Sequence, residues 1–233
     1  MSDWERSFDS PGPLAVDVPL GHERFVSQNL TAAEAIARLR EGNERFSKNV
    51  RSIDAMLSQA RRAELAKAQF PFAIVLGCSD SRSPAETIFD QGLGDLFVIR
   101  VAGNIVASSQ VGSVEFAATR YGVQLVVVMG HTGCGAIDAT IDFFLAPSTR
   151  TTRGLMSIIE RVRPSVATLM ETDLSEDRDA LARAAVRANV RSSVLHLRHG
   201  SPLLESLIEN EGLRVVGAEY DLQSGLVEFF EGV

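Results

Sequence analysis

Three short apolar runs constrain the fold of this chain more than any other feature of its sequence. They are FAIVLG at 72–77, LFVIRV at 96–101 and LVVVMG at 125–130. Runs of this length that are rich in Val, Ile and Leu are typical of strands buried on both faces, as in a parallel sheet. Stretches long enough for helices separate them, and this alternation favours a sheet covered by helices on both sides.

The C-terminal part of the chain predicts two further strands. Residues 213–220 and 226–230 are apolar runs joined by a turn at 221–225, which is the pattern of a hairpin. We therefore predict an α/β fold: a mostly parallel central sheet of about five strands, flanked by helices, with an antiparallel last strand.

Helix signals fill most of the remaining sequence. Thr31 and Glu34 fit a capping box at the start of the first helix. Residues 1–29 contain Pro, Gly and charged residues without periodicity, so we expect an N-terminal arm there and a single domain over 30–233. The other helices are predicted at about 55–68, 110–121, 135–145, 155–171 and 175–198, with a short one opening at Pro202.

Composition excludes several classes of protein. With 30 acidic and 23 basic residues the net charge is −7, which disfavours binding to nucleic acid or to an anionic membrane. The apolar runs are too short to span a bilayer, and the first residues lack the apolar core of a signal peptide, so we expect a cytoplasmic protein. Two cysteines, Cys78 and Cys134, are too few for a disulfide framework.

Both cysteines and one of the four histidines follow predicted strands. Cys78 comes directly after the first run, and His131 and Cys134 come after the third. The carboxyl ends of parallel strands meet at one edge of a sheet, where sites in open α/β folds form. Two Cys and one His are a zinc ligand set that leaves a fourth position open for water, whose pKa the metal lowers to about 7. Buried core thiols and a Cys–His–Asp nucleophile are the alternatives.

Asp80 and Arg82 lie on the same loop as Cys78, two residues apart. A guanidinium can hold a carboxylate through two parallel hydrogen bonds. Held in this way, Asp80 could orient a zinc-bound water; released, it could occupy the fourth zinc position. A plain structural ion pair is the alternative interpretation.

The two motifs CSDSR at 78–82 and HTGCG at 131–135 together resemble those of the β-class carbonic anhydrases. EGNERF at 41–46 and the pair Tyr220–Asp221 are weaker likenesses, and the resemblance extends over about residues 30–230. It implies an enzyme with one Zn²⁺ per chain that interconverts CO₂ and bicarbonate. It also implies a homodimer or homotetramer with sites near subunit interfaces.

The resemblance also implies roles for individual residues. Cys78, His131 and Cys134 match the family's zinc ligands. Asp80 and Arg82 match its catalytic Asp–Arg pair, with Asp80 also able to bind the metal. The residues at the family's substrate-binding positions are Gln69, nine residues before Cys78, and Phe97, on an apolar position of the CO₂ pocket.

Two features depart from the family's pattern. Phe116 stands where plant-type members often have Tyr. Some bacterial members bind inhibitory bicarbonate at a pocket of Trp, Arg and Tyr; here Arg100 and Tyr220 match but Val75 replaces the Trp, so we predict that this pocket is not functional. The rival functions are hydrolysis of carbonyl sulfide or carbon disulfide, and a structural zinc protein without turnover.

Overall fold

A five-stranded sheet forms the centre of the molecule. The computed structural model describes residues 30–53, 62–146 and 151–233. Neighbouring strands are parallel except for the last pair, which is antiparallel. The predicted fold class is therefore confirmed. The strands, in the spatial order β2-β1-β3-β4-β5, are β1 (Ala73–Gly77), β2 (Leu96–Arg100), β3 (Leu125–His131), β4 (Arg214–Tyr220) and β5 (Val227–Glu231).

Burial explains the composition of the strands. Every residue of β1 and β3 is buried, because each of these strands has a neighbour on both sides and packing on both faces. β2 lies at the edge of the sheet and is only partly buried, with Arg100 exposed at its end. An edge position explains how a charged residue can interrupt an otherwise apolar run.

The predicted helices are confirmed where the structure describes them. The helix predicted at 55–68 falls largely outside the described residues, as does the arm at 1–29. The helices are α1 (Ala32–Ser47), α2 (Arg62–Leu65), α3 (Ala85–Ile88), α4 (Ser108–Tyr121), α5 (Gly135–Leu145), α6 (Arg153–Met170), α7 (Arg178–His199) and α8 (Pro202–Asn210). Short 3₁₀ turns form at Ala102–Asn104 and Asp173–Glu176. Across the described ranges, no helix is both long and apolar enough to cross a membrane.

Helix α1 is fixed to the sheet by the motif EGNERF. The predicted capping box of Thr31 and Glu34 starts the helix. Near its end the buried Asn43 donates to the Gly225 carbonyl at 2.9 Å and accepts from the Val227 N–H at 2.8 Å. Asn43 thus ties α1 to the β4–β5 turn, so this part of the resemblance has a structural basis.

Three groups of buried apolar side chains surround the sheet. One lies on the side of α1, a second on the side of α4 and α8, and a third where α5, α6 and α7 pack together. The third group includes Cys78 and Cys134. Helix packing therefore encloses the ends of β1 and β3 in an apolar environment.

Candidate metal centre

The loop after β1 carries the first candidate ligand. Cys78 directly follows the last residue of β1, and its side chain is buried. The backbone N–H groups of Asp80 and Gly103 both donate to Cys78 Sγ, each with an N···S distance of 3.4 Å. Such hydrogen bonds favour the thiolate, which is the form of cysteine that binds metals.

The end of β3 carries the other two candidates. His131 is the last residue of β3, and its Nδ1 lies 2.9 Å from the Thr132 carbonyl oxygen. A proton on Nδ1 can donate to that oxygen, which leaves the lone pair of Nε2 available to a metal. Cys134 is the N-cap of α5, where the positive end of the helix dipole favours a thiolate.

The three side chains fit a zinc ion. Their ligand atoms lie within 4.8 Å of one another and are all buried. Tetrahedral zinc with these donors separates its ligand atoms by about 3.5–3.8 Å. His131 Nε2 is also a buried nitrogen without a hydrogen-bond partner among the described residues, and a metal bond would satisfy it.

The two thiols do not ionise alike in the absence of a cation. A hydrogen bond from the Cys134 thiol, together with the backbone N–H groups of Asp80 and Gly103, lowers the pKa of Cys78. The neighbouring Cys78 sulfur and burial raise the pKa of Cys134. A divalent cation offsets the repulsion between two thiolates, so metal binding and loss of the second proton are coupled.

Asp80 is held by Arg82, as the sequence predicts. Arg82 Nε donates to Asp80 Oδ1 at 3.0 Å, and Nη2 donates to Oδ2 at 2.8 Å. These hydrogen bonds hold the pKa of the Asp80 carboxyl well below its usual range. Asp80 Oδ2 lies 4.0 Å from His131 Nε2, so an ionised carboxylate borders the candidate metal position.

Two arginines fix the backbone around this carboxylate. Arg82 Nη2 also donates to the Gly133 carbonyl at 3.1 Å, which joins the β1 loop to the β3 loop. Arg100 Nε donates to the Cys78 carbonyl at 3.0 Å, and its Nη2 donates to the Asp80 carbonyl. Arg100, which matches the arginine of the family's bicarbonate pocket, is thus hydrogen-bonded to the loop that carries Cys78 and Asp80. That the pocket is not functional stays a prediction.

Gln69 and Phe97 lie away from the ligand cluster of their own chain. Gln69 precedes β1 and Cys78 follows it, and a strand rise of about 3.3 Å per residue places Ala73 about 16 Å from Cys78. Phe97 pairs with Ile74, near the same beginning of β1. The structure therefore does not bring the predicted substrate residues to the predicted ligands within one chain.

An aromatic cluster surrounds Gln69 at this opposite end of the sheet. The ring centroids of Phe97, Phe116 and Tyr121 are 6.0–6.3 Å apart in each pair. Gln69 Nε2 donates to Tyr121 Oη at 2.7 Å, beside a cavity of about 430 Å³ that both residues line. A hydroxyl is thus present here although position 116 is Phe.

Comparison with known proteins identifies the family. The family model for carbonic anhydrase matches residues 73–227. Carbonic anhydrase 2 of Mycobacterium tuberculosis is 39% identical over 201 residues, covering 84% of this chain and 92% of the relative. The carbonic anhydrase of Mycolicibacterium smegmatis is 36% identical, covering 86% of this chain and 94% of the relative.

Solved structures agree with this result. A tetrameric β-carbonic anhydrase of Sordaria macrospora superposes with a TM-score of 0.66 at 25% identity, covering 76% of this chain and 88% of that one. A β-carbonic anhydrase of Aspergillus fumigatus gives 0.64 at 26% identity, covering 86% and 91%. The chain belongs to the β-carbonic anhydrase family. The reaction of this family is the zinc-dependent interconversion of CO₂ and bicarbonate.

Sequence reasoning missed several residues that support the site of this β-carbonic anhydrase. It did not predict the hydrogen bond that Gln69 donates to Tyr121, nor the contacts of Arg100 with the metal loop. It also missed Asn189, whose Nδ2 donates to the Gly103 carbonyl at 2.7 Å. No local pattern signals such contacts, because they join segments that lie far apart in the sequence.

Proposed function

We propose that this chain catalyses the reversible hydration of CO₂ to bicarbonate and a proton, with one Zn²⁺ per chain held by Cys78, His131 and Cys134. The observation that carries the proposal is the convergence of three buried ligand atoms beside an ionised carboxylate. When bound, zinc supplies a Lewis acid that ionises a water molecule near neutral pH.

Asp80 orients the reacting water in this proposal. Both of its oxygens already accept hydrogen bonds from Arg82, so the carboxylate has a fixed direction. It is ionised at neutral pH, and the Arg82 guanidinium holds its pKa well below the usual range, so the charge persists at acidic pH. Asp80 Oδ2 can then accept a hydrogen bond from a water at the fourth position. Direct binding of Asp80 to the metal would require it to leave Arg82 and would close the site.

A second copy of the chain supplies Gln69 and Phe97 in this proposal. Their own ligand cluster lies at the other end of β1, whereas Phe116 beside them is 53% exposed and Leu93 is 51% exposed. Exposed apolar side chains around a polar pair suit an interface between copies. The Sordaria relatives are described as tetrameric. We therefore propose a homodimer or homotetramer in which Phe97 contributes an apolar wall and Gln69 donates an N–H to a substrate oxygen.

Residues 30–233 form one catalytic domain in this proposal. Its support is that one buried cluster combines α1 with the last two strands, and another joins both metal loops to α7.

We propose the cytoplasm as its location, because a reducing compartment keeps the two cysteines available as thiolates. The substrates are CO₂ and bicarbonate, and the net charge of −7 argues against nucleic acid as a partner.

Stopped-flow CO₂ hydration tests the activity. We expect zinc-loaded protein to turn over CO₂ faster at mildly alkaline than at neutral pH, because a water molecule must ionise. Cys134→Ser should lose zinc and fall to the uncatalysed rate, whereas wild-type protein stripped of metal should recover when zinc is restored. Zinc-loaded protein that is inactive at both pH values would contradict the proposal, and carbon disulfide would then be the substrate to try.

Mixing two defective variants tests whether Gln69 acts across subunits. Cys134→Ser keeps Gln69 but lacks a metal site, and Gln69→Ala keeps the metal site. Coexpressed with different tags, they form hybrids in which one intact metal site meets one intact Gln69. Random pairing into dimers should restore about a quarter of wild-type activity. A mixture no more active than its parts would show that Gln69 does not act across subunits.

A further inference from the structure

We propose that Asn189 of α7 is a positioning residue for the metal ligand Cys78. Through the Gly103 carbonyl it holds the Gly103 N–H on the Cys78 sulfur, and so sets how strongly that thiolate binds the metal. The inference rests on the proposed zinc ligands. It adds a residue from α7, a helix that carries none of those ligands.

The first link is the hydrogen bond to sulfur. Gly103 lies in the 3₁₀ turn after β2, and its N–H donates to Cys78 Sγ at 3.4 Å. A hydrogen bond of this kind draws electron density from a thiolate and so tunes its donation to the metal. Gly103 has φ +69, and a Cβ there would lie only 3.0 Å from Ala136 Cβ, so this backbone shape favours glycine.

The second link holds the turn in place. Asn189 is 2% exposed, and its Nδ2 donates to the Gly103 carbonyl at 2.7 Å. The next residue, Asn104, also has a positive φ of 43. A positive φ is sparsely populated for a residue with a side chain, so Asn104 keeps this conformation only when the surroundings fix the turn. Asn189 supplies such a contact from a helix that is itself packed on β3 and β4.

Ser193 provides a matched comparison four residues further along α7. It is also buried, and its Oγ donates to the Asn104 carbonyl at 3.0 Å. The Asn104 N–H, however, donates to the Val101 carbonyl and not to a sulfur. Loss of either side chain removes one buried hydrogen bond from the same turn, but only Asn189 binds the residue that contacts Cys78.

Cobalt-substituted protein tests the proposal, because the thiolate-to-Co²⁺ charge-transfer band reports electron density on sulfur. We compare wild type with Asn189→Leu, which is similar in size, Asn189→Ala, which is smaller, and Ser193→Ala. Circular dichroism establishes which variants fold, and two Asn189 variants of different size separate loss of the donor from a packing defect. Release of Zn²⁺ to a chelator is measured in parallel.

We expect the band of both Asn189 variants to move to longer wavelength, because the Cys78 sulfur keeps more electron density when the Gly103 N–H no longer donates to it. We expect zinc release to be about tenfold faster, in the range typical of lost outer-shell partners, because the freed turn no longer holds the Cys78 sulfur in position. Ser193→Ala should keep the wild-type band and release zinc at nearly the wild-type rate. An unmoved band in folded Asn189 variants, or an equal shift in Ser193→Ala, would overturn the proposal. A wild-type protein without any thiolate band would instead contradict the zinc ligands themselves.

Discussion

The two ends of β1 differ in how much of a functional site a single chain provides. At the carboxyl end, Cys78, His131 and Cys134 are buried, and hydrogen bonds from the same chain fix the loops that carry them. At the other end, Gln69 has Tyr121 as its side-chain partner, and the aromatic cluster is open to solvent at Phe116.

This difference separates metal binding from substrate binding. The metal end has its three proposed ligands and their supporting hydrogen bonds within one chain, so it should bind zinc whatever the state of assembly. The Gln69 end presents polar and aromatic groups without a reacting centre, so its contribution to catalysis should depend on a second copy.

Asp80→Asn should have the largest effect, because it removes the charge that orients water while keeping the shape of the side chain. We expect turnover to fall about 100-fold, as is typical for loss of an acid–base group, with one zinc per chain retained. Stopped-flow assays and metal analysis measure the two quantities. Asp142→Asn is the control, since it alters an exposed carboxylate that pairs with Arg178 on α7. Near-wild-type turnover in Asp80→Asn would remove Asp80 from the mechanism.

Phe116→Asp should weaken association between copies of the chain without affecting the metal site at the other end of β1. Burying even a neutral polar group without a partner costs about 2 kcal/mol, and a carboxylate costs more, so the association constant should fall by about 30-fold or more. We expect smaller particles by light scattering and a comparable loss of activity at low concentration, with zinc content unchanged. Leu195→Asp is the matched control, since Leu195 on α7 is 52% exposed against 53% for Phe116. Loss of zinc in Phe116→Asp would mean that the metal end also depends on assembly.

Tyr121→Phe should have a smaller effect on the Gln69 end. It removes the hydroxyl that accepts from Gln69 Nε2 and keeps the ring. One hydrogen bond of about 1 kcal/mol corresponds to about a fivefold loss in kcat/KM, with zinc binding unchanged. The double variant with Gln69→Ala should lose no more activity than Gln69→Ala alone. Additive losses would show that Tyr121 acts independently of Gln69.

Asp221→Asn should lower the free energy of unfolding by about 1 kcal/mol at neutral pH, because Asp221 loses charge-assisted hydrogen bonds from Ser224. Those bonds hold the pKa of Asp221 below its usual 3.8. The stabilisation is therefore complete above that pH and decreases as the pH falls through the lower, folded-state pKa. Urea unfolding at neutral and acidic pH should show the difference from wild type shrinking in acid. A difference that is constant with pH would contradict an electrostatic origin.

The strands and the metal ligands could be predicted because their signals are local. Uninterrupted apolar runs mark β1 and β3, and Cys78 and His131 stand at the ends of those runs. The supporting contacts could not be predicted in the same way. Asn189 and Gly103 are 86 residues apart, and their hydrogen bond depends on where α7 packs rather than on any pattern near either residue.

The location of Gln69 shows another limit of sequence reasoning. A match to a family position assigns a role to a residue, but it does not say which chain's metal that residue serves. The strand predicted at 72–77 already separates Gln69 from Cys78, and β1 confirms that the two residues lie beyond opposite ends of one strand. The sequence does not supply the exposure of Phe116 and Leu93 beside Gln69, because exposure depends on tertiary packing, and this exposure is what favours a second copy at this end.

The pairing of β1 with β3 couples folding of the chain to metal binding. Cys78 and His131 are 53 residues apart, and they meet only after β3 has paired with β1 in the register Gly77↔Met129. Before these strands pair, Cys78 is a single thiol separated from the other two candidate ligands. Binding of zinc by all three would therefore favour the paired strands over the unfolded chain, so removal of the metal should also lower the free energy of unfolding.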